Sequence, residues 1–161
     1  MYTDQVLIIL NGKGETVLSE SSNKIILAKK KQENITHDHT LLQTNFDSLE
    51  DLIKANTIIK SQFLKIDELV IVYRNIDLNM ISYQYDYNHI KQNYQVLMNI
   101  IYFINLLVPL LKDEFSFILS FEKDHHYKVH FNNFKTSLIK YLEALKEDLV
   151  RSININIKIL N

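Results

Sequence analysis

The sequence predicts a single α+β domain, an antiparallel sheet with flanking helices, extending over all 161 residues. Three observations point there. Short β-branched runs end at turn-forming residues, later segments repeat apolar residues at helical spacing, and no linker, repeat or low-complexity tract divides the chain. With 47% hydrophobic and 23% charged residues, the chain has the composition of a globular domain and the length to bury one sizeable core.

The first run, Val6-Leu7-Ile8-Ile9-Leu10, stops at Asn11-Gly12-Lys13-Gly14, and Thr16-Val17-Leu18 resumes it. Both glycines of the protein sit in this connection. Glycine reaches the positive φ that tight hairpins use, so the spacing predicts a β-hairpin. A Walker-type phosphate loop is excluded, because no Gly-Lys pair followed by Ser or Thr is present. From Ser19 to Gln43 the chain is polar except for Ile25-Ile26-Leu27. Lys29-Lys30-Lys31 within it forms a solvated basic face, or alternatively touches acidic lipid headgroups at ~1 kcal/mol per lysine.

Asp47-Ser48-Leu49-Glu50 has the cap and acidic first turn of a helix, and Leu49, Leu52, Ile53 and Ile59 continue it to about Lys60. Phe63 to Asp67 is then extended. Leu69-Val70-Ile71-Val72-Tyr73 is a strand, Asn75-Ile76-Asp77 a turn, and Leu78 to Tyr87 an alternating strand, which together predict an antiparallel pair. Val96 to Leu111 is the most apolar stretch. Its 16 residues fall short of the ~20 that a membrane span uses, so it predicts a helix lying on the sheet and buried over most of its circumference, kinked or ended by Pro109. Phe115 to Phe121, followed by Tyr127, Val129 and Phe131 alternating with His126, Lys128 and His130, predicts a second hairpin. A helix from about Asn133 to Val150 follows, then a terminal strand through Ile153, Ile155, Ile157 and Ile159.

Chemistry is harder to find. The net charge of -1 gives no field for nucleic acid. The absence of cysteine excludes thiol chemistry and fits a reducing, cytoplasmic setting, and the N-terminus lacks the pattern of a secretory signal. Asn34-Ile35-Thr36 is therefore read as a chance tripeptide in a polar loop. His37, His39, His125, His126 and His130 are predicted to be solvated rather than metal-bound: His126 and His130 reach zinc spacing only on a helix, and no Glu stands in the zincin position. Glu50-Asp51 and Glu147-Asp148 sit at helix ends, no serine lies in a strained-turn context, and the tyrosines lack the arginines of an RNA platform. No catalytic residue, metal or cofactor is expected, and the chain is predicted not to be an enzyme.

The order of elements resembles the longin-like (profilin-like) small subunits of vesicle-coat adaptors, of the clathrin-adaptor sigma and coatomer zeta type. Asn11, Gly14 and Leu18 resemble that family's first hairpin. Leu69-Val70-Ile71-Val72-Tyr73-Arg74-Asn75 is similar to its apolar strand ending in Tyr-Arg. The likeness covers residues 5 to 112. It implies a non-catalytic subunit held by a larger adaptin-like solenoid and other coat subunits, peripheral on endomembrane or plasma-membrane coats. The alternative is a tethering or signalling scaffold like the TRAPP and Ragulator subunits. The expected partner contacts are Tyr83 and Tyr85 on the sheet edge and Tyr94, Met98 and Tyr102 on the outer side of the long helix.

Overall fold

The runs Val6 to Leu10 and Leu69 to Val72 are apolar at every position, so a strand made from either presents apolar side chains on both faces. In the computed structural model the two runs lie side by side in the middle of one sheet. The structure describes residues 3–10, 22–29, 39–74, 86–122 and 129–160. Their elements are β1 (Thr3–Leu10), β2 (Ser22–Ala28), β3 (His39–Gln43), α1 (Leu49–Gln62), β4 (Ile66–Arg74), α2 (Tyr87–Leu107), β5 (Leu111–Glu122), α3 (Val129–Asp148) and β6 (Asn154–Leu160).

The sheet has six strands in the order β3-β2-β1-β4-β5-β6, and every neighbouring pair is parallel. The fold is therefore α/β, which corrects the antiparallel, longin-like sheet expected from the sequence. Val6 pairs with Ile25 on one side and Leu69 on the other. Both edges of β1 are thus taken, and the expected hairpin partner Thr16-Val17-Leu18, which lies outside the described residues, has no edge of β1 to join. The same holds for β4, which sits between β1 and β5. The strand expected from Leu78 to Tyr87 falls mostly on residues outside the described ones, and Tyr87 itself opens α2. The second expected hairpin is corrected too, because Phe115 to Phe121 belongs to the parallel strand β5 while Val129 and Phe131 start α3.

The steps β3 to β4, β4 to β5 and β5 to β6 all cross the sheet in one direction, and right-handed crossovers then gather α1, α2 and α3 on one face. Their buried side chains, among them Leu52, Ile59, Ile100, Phe103, Phe134 and Leu138, pack on Val6, Ile8, Leu10, Leu69 and Ile71. On the other face Leu7, Ile9, Ile26, Val70 and Val72 form a second buried cluster to which no described helix contributes.

The start of α1 is as the sequence predicts. Ser48 Oγ accepts the Asp51 backbone N–H at 3.3 Å, and Glu50 and Asp51 complement the positive helix end. Replacing Ser48 with Ala is expected to cost ~1 kcal/mol in a urea titration; an unchanged midpoint would mean that this bond contributes nothing. Helix α2 is longer than predicted and ends where Pro109 enters a single 3₁₀ turn, Val108–Leu110. Tyr87–Leu110 is long and apolar enough, by length and composition, to cross a membrane, but its inner side is buried on the sheet through Leu97, Ile100, Phe103, Ile104 and Leu107. Its outer side is exposed, so the expectation of burial over most of the circumference is corrected.

Candidate functional site at the carboxyl ends of the strands

From β1 the chain steps outward to β2 and β3, then returns across the sheet to β4 on the other side of β1. The strand order therefore reverses between β1 and β4, and the candidate crevice is the carboxyl edge of the sheet at that reversal. In open α/β sheets this reversal is where ligands bind.

The described side of the crevice is aromatic. Tyr73, near the end of β4, is the register partner of Leu10 on β1 and of Phe121 on β5. Its ring stacks on Phe131 at 5.1 Å and on Phe134 at 4.4 Å, both from the first turns of α3, and Phe121 meets Phe131 edge-on. Lys135 Nζ lies 5.2 Å above the Phe121 ring, a cation–π contact. Tyr73 Oη donates to Asn93 Oδ1 of α2 at 3.4 Å, so a hydroxyl is held at this edge within a largely apolar wall.

Three described helices begin at this edge, and carboxylates occupy the starts of two of them, α1 and α2. At α2, Asp86 accepts the His89 backbone N–H at 2.9 Å and faces the His89 ring at 2.8 Å; these bonds hold its carboxyl below the usual carboxylate range. At α1, Asp47, Glu50 and Asp51 surround the first turn, and Asp47 accepts from Gln92 of α2. Helix starts that ordinarily attract phosphate are here neutralised by the protein's own acids.

A second polar feature lies at the opposite edge. Glu68, Gln5, Lys24 and His39 are neighbours in register across β4, β1, β2 and β3, on the face that carries the second cluster. Lys24 is 2% exposed; burial pulls its ammonium below the usual lysine range and the Glu68 charge opposes this. Gln5 Oε1 is buried and has no hydrogen-bond partner among the described residues. Gln5 and Leu10 are five residues apart on β1, roughly 17 Å, so this row takes no part in the crevice.

The residues expected from the sequence do not build the site. Tyr83 and Tyr85 lie outside the described residues. Tyr94, Met98 and Tyr102 are on the outer side of α2, away from the sheet; Tyr94 Oη accepts from Asn133 of α3 at 3.2 Å. Of the histidines, His39 opens β3 and His130 lies in α3, while His37, His125 and His126 fall outside the described residues. Among the described residues no cluster of His, Asp or Glu could hold a metal ion. The aromatic cluster at this edge, Tyr73, Phe121, Phe131 and Phe134 with Lys135 beside it, comes from β4, β5 and α3, and only the position of Tyr73 at the end of an apolar run points to it.

No protein-family model and no curated protein sequence matches the chain. Solved structures do. A short chain dehydrogenase family protein from Francisella tularensis superposes with a TM-score of 0.78 at 16% identity, covering 99% of this chain and 68% of that one. A 3-ketoacyl-(acyl-carrier-protein) reductase from Brucella melitensis, complexed with NADH, gives 0.77 at 16% identity over 98% of this chain and 74% of that one. A glucose/ribitol dehydrogenase-type protein from Brucella melitensis gives 0.78 at 14% identity. At such identities the likeness establishes the fold, a Rossmann-type parallel sheet of the short-chain dehydrogenase/reductase kind.

That fold overturns the longin resemblance and what followed from it. The neighbours are dehydrogenases and reductases, so the expectations of a non-catalytic coat subunit, of an adaptin-like solenoid partner and of a TRAPP- or Ragulator-like scaffold lose the structural basis they rested on. The expectation that the chain is not an enzyme is corrected on the same ground.

Proposed function

We propose that this chain is an oxidoreductase-type domain that holds a nicotinamide dinucleotide across the carboxyl ends of β1 and β4, with preference for the form phosphorylated on the adenosine 2′ position. One observation carries the reading: the strand order reverses between β1 and β4, and the chain's only two glycines, Gly12 and Gly14, directly follow β1. In dinucleotide-binding sheets this is the place of the Gly-x-Gly-x-x-Gly/Ala turn, where a missing Cβ lets backbone amides approach the pyrophosphate.

The residues fit the two parts of such a ligand unequally. At the end of β2, where an acidic residue would bind a free ribose 2′-hydroxyl, stand Lys29, Lys30 and Lys31, and Lys29 is exposed. Cations there suit a 2′-phosphate. At the pyrophosphate the pattern departs: Val17 replaces the third small residue. A helix running back along an eight-residue strand of ~26 Å takes about 17 residues, whereas eleven lie between Leu10 and Ser22. The α1 and α2 starts are acidic and α3 starts after β5, one strand beyond the reversal, so phosphate binding falls to the amides around Gly12 and Gly14. The dinucleotide, when bound, supplies or accepts a hydride. The chain's own part is to exclude water with the Tyr73, Phe131 and Phe134 rings and to hold a proton on Tyr73 Oη beside Asn93.

Thermal unfolding with added nucleotide tests this. NADP⁺ at a hundred times its dissociation constant adds ~2.7 kcal/mol to a protein that binds it only when folded, which raises Tm by roughly 5–10 °C at this size. NAD⁺ is expected to shift Tm less, and the combined Lys29→Glu, Lys30→Glu, Lys31→Glu variant should lose the difference between them. No shift with either nucleotide, oxidised or reduced, at millimolar concentration would refute the reading.

A further inference from the structure

We infer that Lys24 and Gln5 are joined side chain to side chain by an isopeptide bond, formed within the chain with Glu68 as the proton carrier. Register pairings place His39, Lys24, Gln5, Glu68, Ser116 and Asn156 in one row across all six strands, on the face of the sheet that carries the second apolar cluster. The row is most deeply buried at its middle, where Lys24 is 2% and Gln5 3% exposed. The next row on that face holds Ile26, Leu7 and Val70, so apolar side chains close the pair off along the strands. A lysine and a glutamine in such a place are costly to bury as separate polar groups, and Gln5 Oε1 has no hydrogen-bond partner among the described residues. The row is independent of the nucleotide reading.

The three groups stand in the order the reaction uses. Lys24 and Glu68 flank Gln5 on the two neighbouring strands, each strand ~4.8 Å from β1 and so within reach of both side chains. Burial favours the uncharged Lys24 amine, which is the nucleophilic form, while the Glu68 charge opposes this. The Glu68 carboxylate takes one proton from the Lys24 ammonium, and the freed amine attacks Gln5 Cδ. As the new C–N bond forms and the old one breaks, Glu68 hands that proton to the departing amide nitrogen and takes the second from Nζ. Ammonia leaves and carries this last proton away as ammonium. Glu68 ends as the carboxylate it began as, and the chain has lost one ammonia and one positive charge. No outside reagent enters, which suits a pair sealed from solvent, and the strand register supplies the proximity that free reactants lack.

The intact mass of the purified, denatured chain decides this. It should fall below the mass of the sequence by one ammonia, about 17 Da. Because trypsin does not cut after an acylated lysine, the peptide carrying Gln5 should appear joined to an uncut Gly14–Lys29. Lys24→Arg and Gln5→Leu should each restore the full sequence mass, and Glu68→Gln, followed from the time of synthesis, should slow the loss by on the order of a hundredfold. A wild-type chain at its full sequence mass would overturn the proposal whether or not any variant folds. So would a loss of ammonia that maps to Asn11-Gly12, where a succinimide forms without a second side chain, or a loss of water instead of ammonia, which would make Glu68 the acyl partner.

Discussion

Replacing Val70 with Asp is expected to destabilise the protein by more than ~4 kcal/mol, and Ile71→Asp is expected to do the same. The two side chains point to opposite faces of β4, the central strand beside β1, and both are buried. An unpaired carboxylate on either face would lose its water with no partner, against a total stability of only ~5–15 kcal/mol for a typical domain. Soluble yield, circular dichroism and a urea midpoint would read the effect. The paired result is the informative one. In an antiparallel sheet with one wet face, one of the two substitutions would be tolerated; in the parallel sheet neither is.

Phe134→Ala is expected to cost about 3–5 kcal/mol, the range for deleting a buried ring. Phe134 is buried between α3 and the carboxyl end of β4, with its ring stacked nearly parallel to that of Tyr73 at 4.4 Å. Its removal opens a void at the crevice and takes away part of what docks the first turns of α3. A urea titration should show the loss, and a cost under ~1 kcal/mol would mean that α3 does not pack on Tyr73 as the structure places it. Because Phe131 also stacks on Tyr73, the double variant Phe131→Ala, Phe134→Ala should be non-additive.

Local structure was legible where local rules decide it. Ser48 and its acidic first turn marked α1, Pro109 marked the end of α2, the spacing of Phe134, Leu138, Tyr141 and Leu145 marked α3, and the alternating isoleucines marked β6. Strand direction was misread, although a signal for it was present. Val6 to Leu10 and Leu69 to Val72 are continuously apolar, the pattern of strands covered on both faces in parallel sheets, whereas an antiparallel strand with one wet face alternates. The two glycines drew the reading toward a hairpin, since a Gly-rich turn after a strand serves a hairpin and a crossover alike. Val6 pairs with Ile25 and Leu69, and no local pattern encodes partners so distant in sequence. The aromatic wall of the crevice was hidden for the same reason, since Tyr73, Phe121 and Phe134 meet only once β4, β5 and α3 are assembled.

The parallel order of strands is the claim on which the crevice, the nucleotide reading and both core predictions depend, and nuclear Overhauser contacts in isotope-labelled protein measure it directly. Antiparallel neighbours bring opposed Cα atoms to ~4.5 Å and give strong Hα–Hα contacts, while parallel neighbours give evenly spaced Hα–amide contacts. The expected result is a parallel pattern linking Val6 to both Ile25 and Leu69, and Val70 to Ile118. Strong Hα–Hα contacts between residues 6–10 and 16–18, or between residues 69–73 and 78–87, would contradict it.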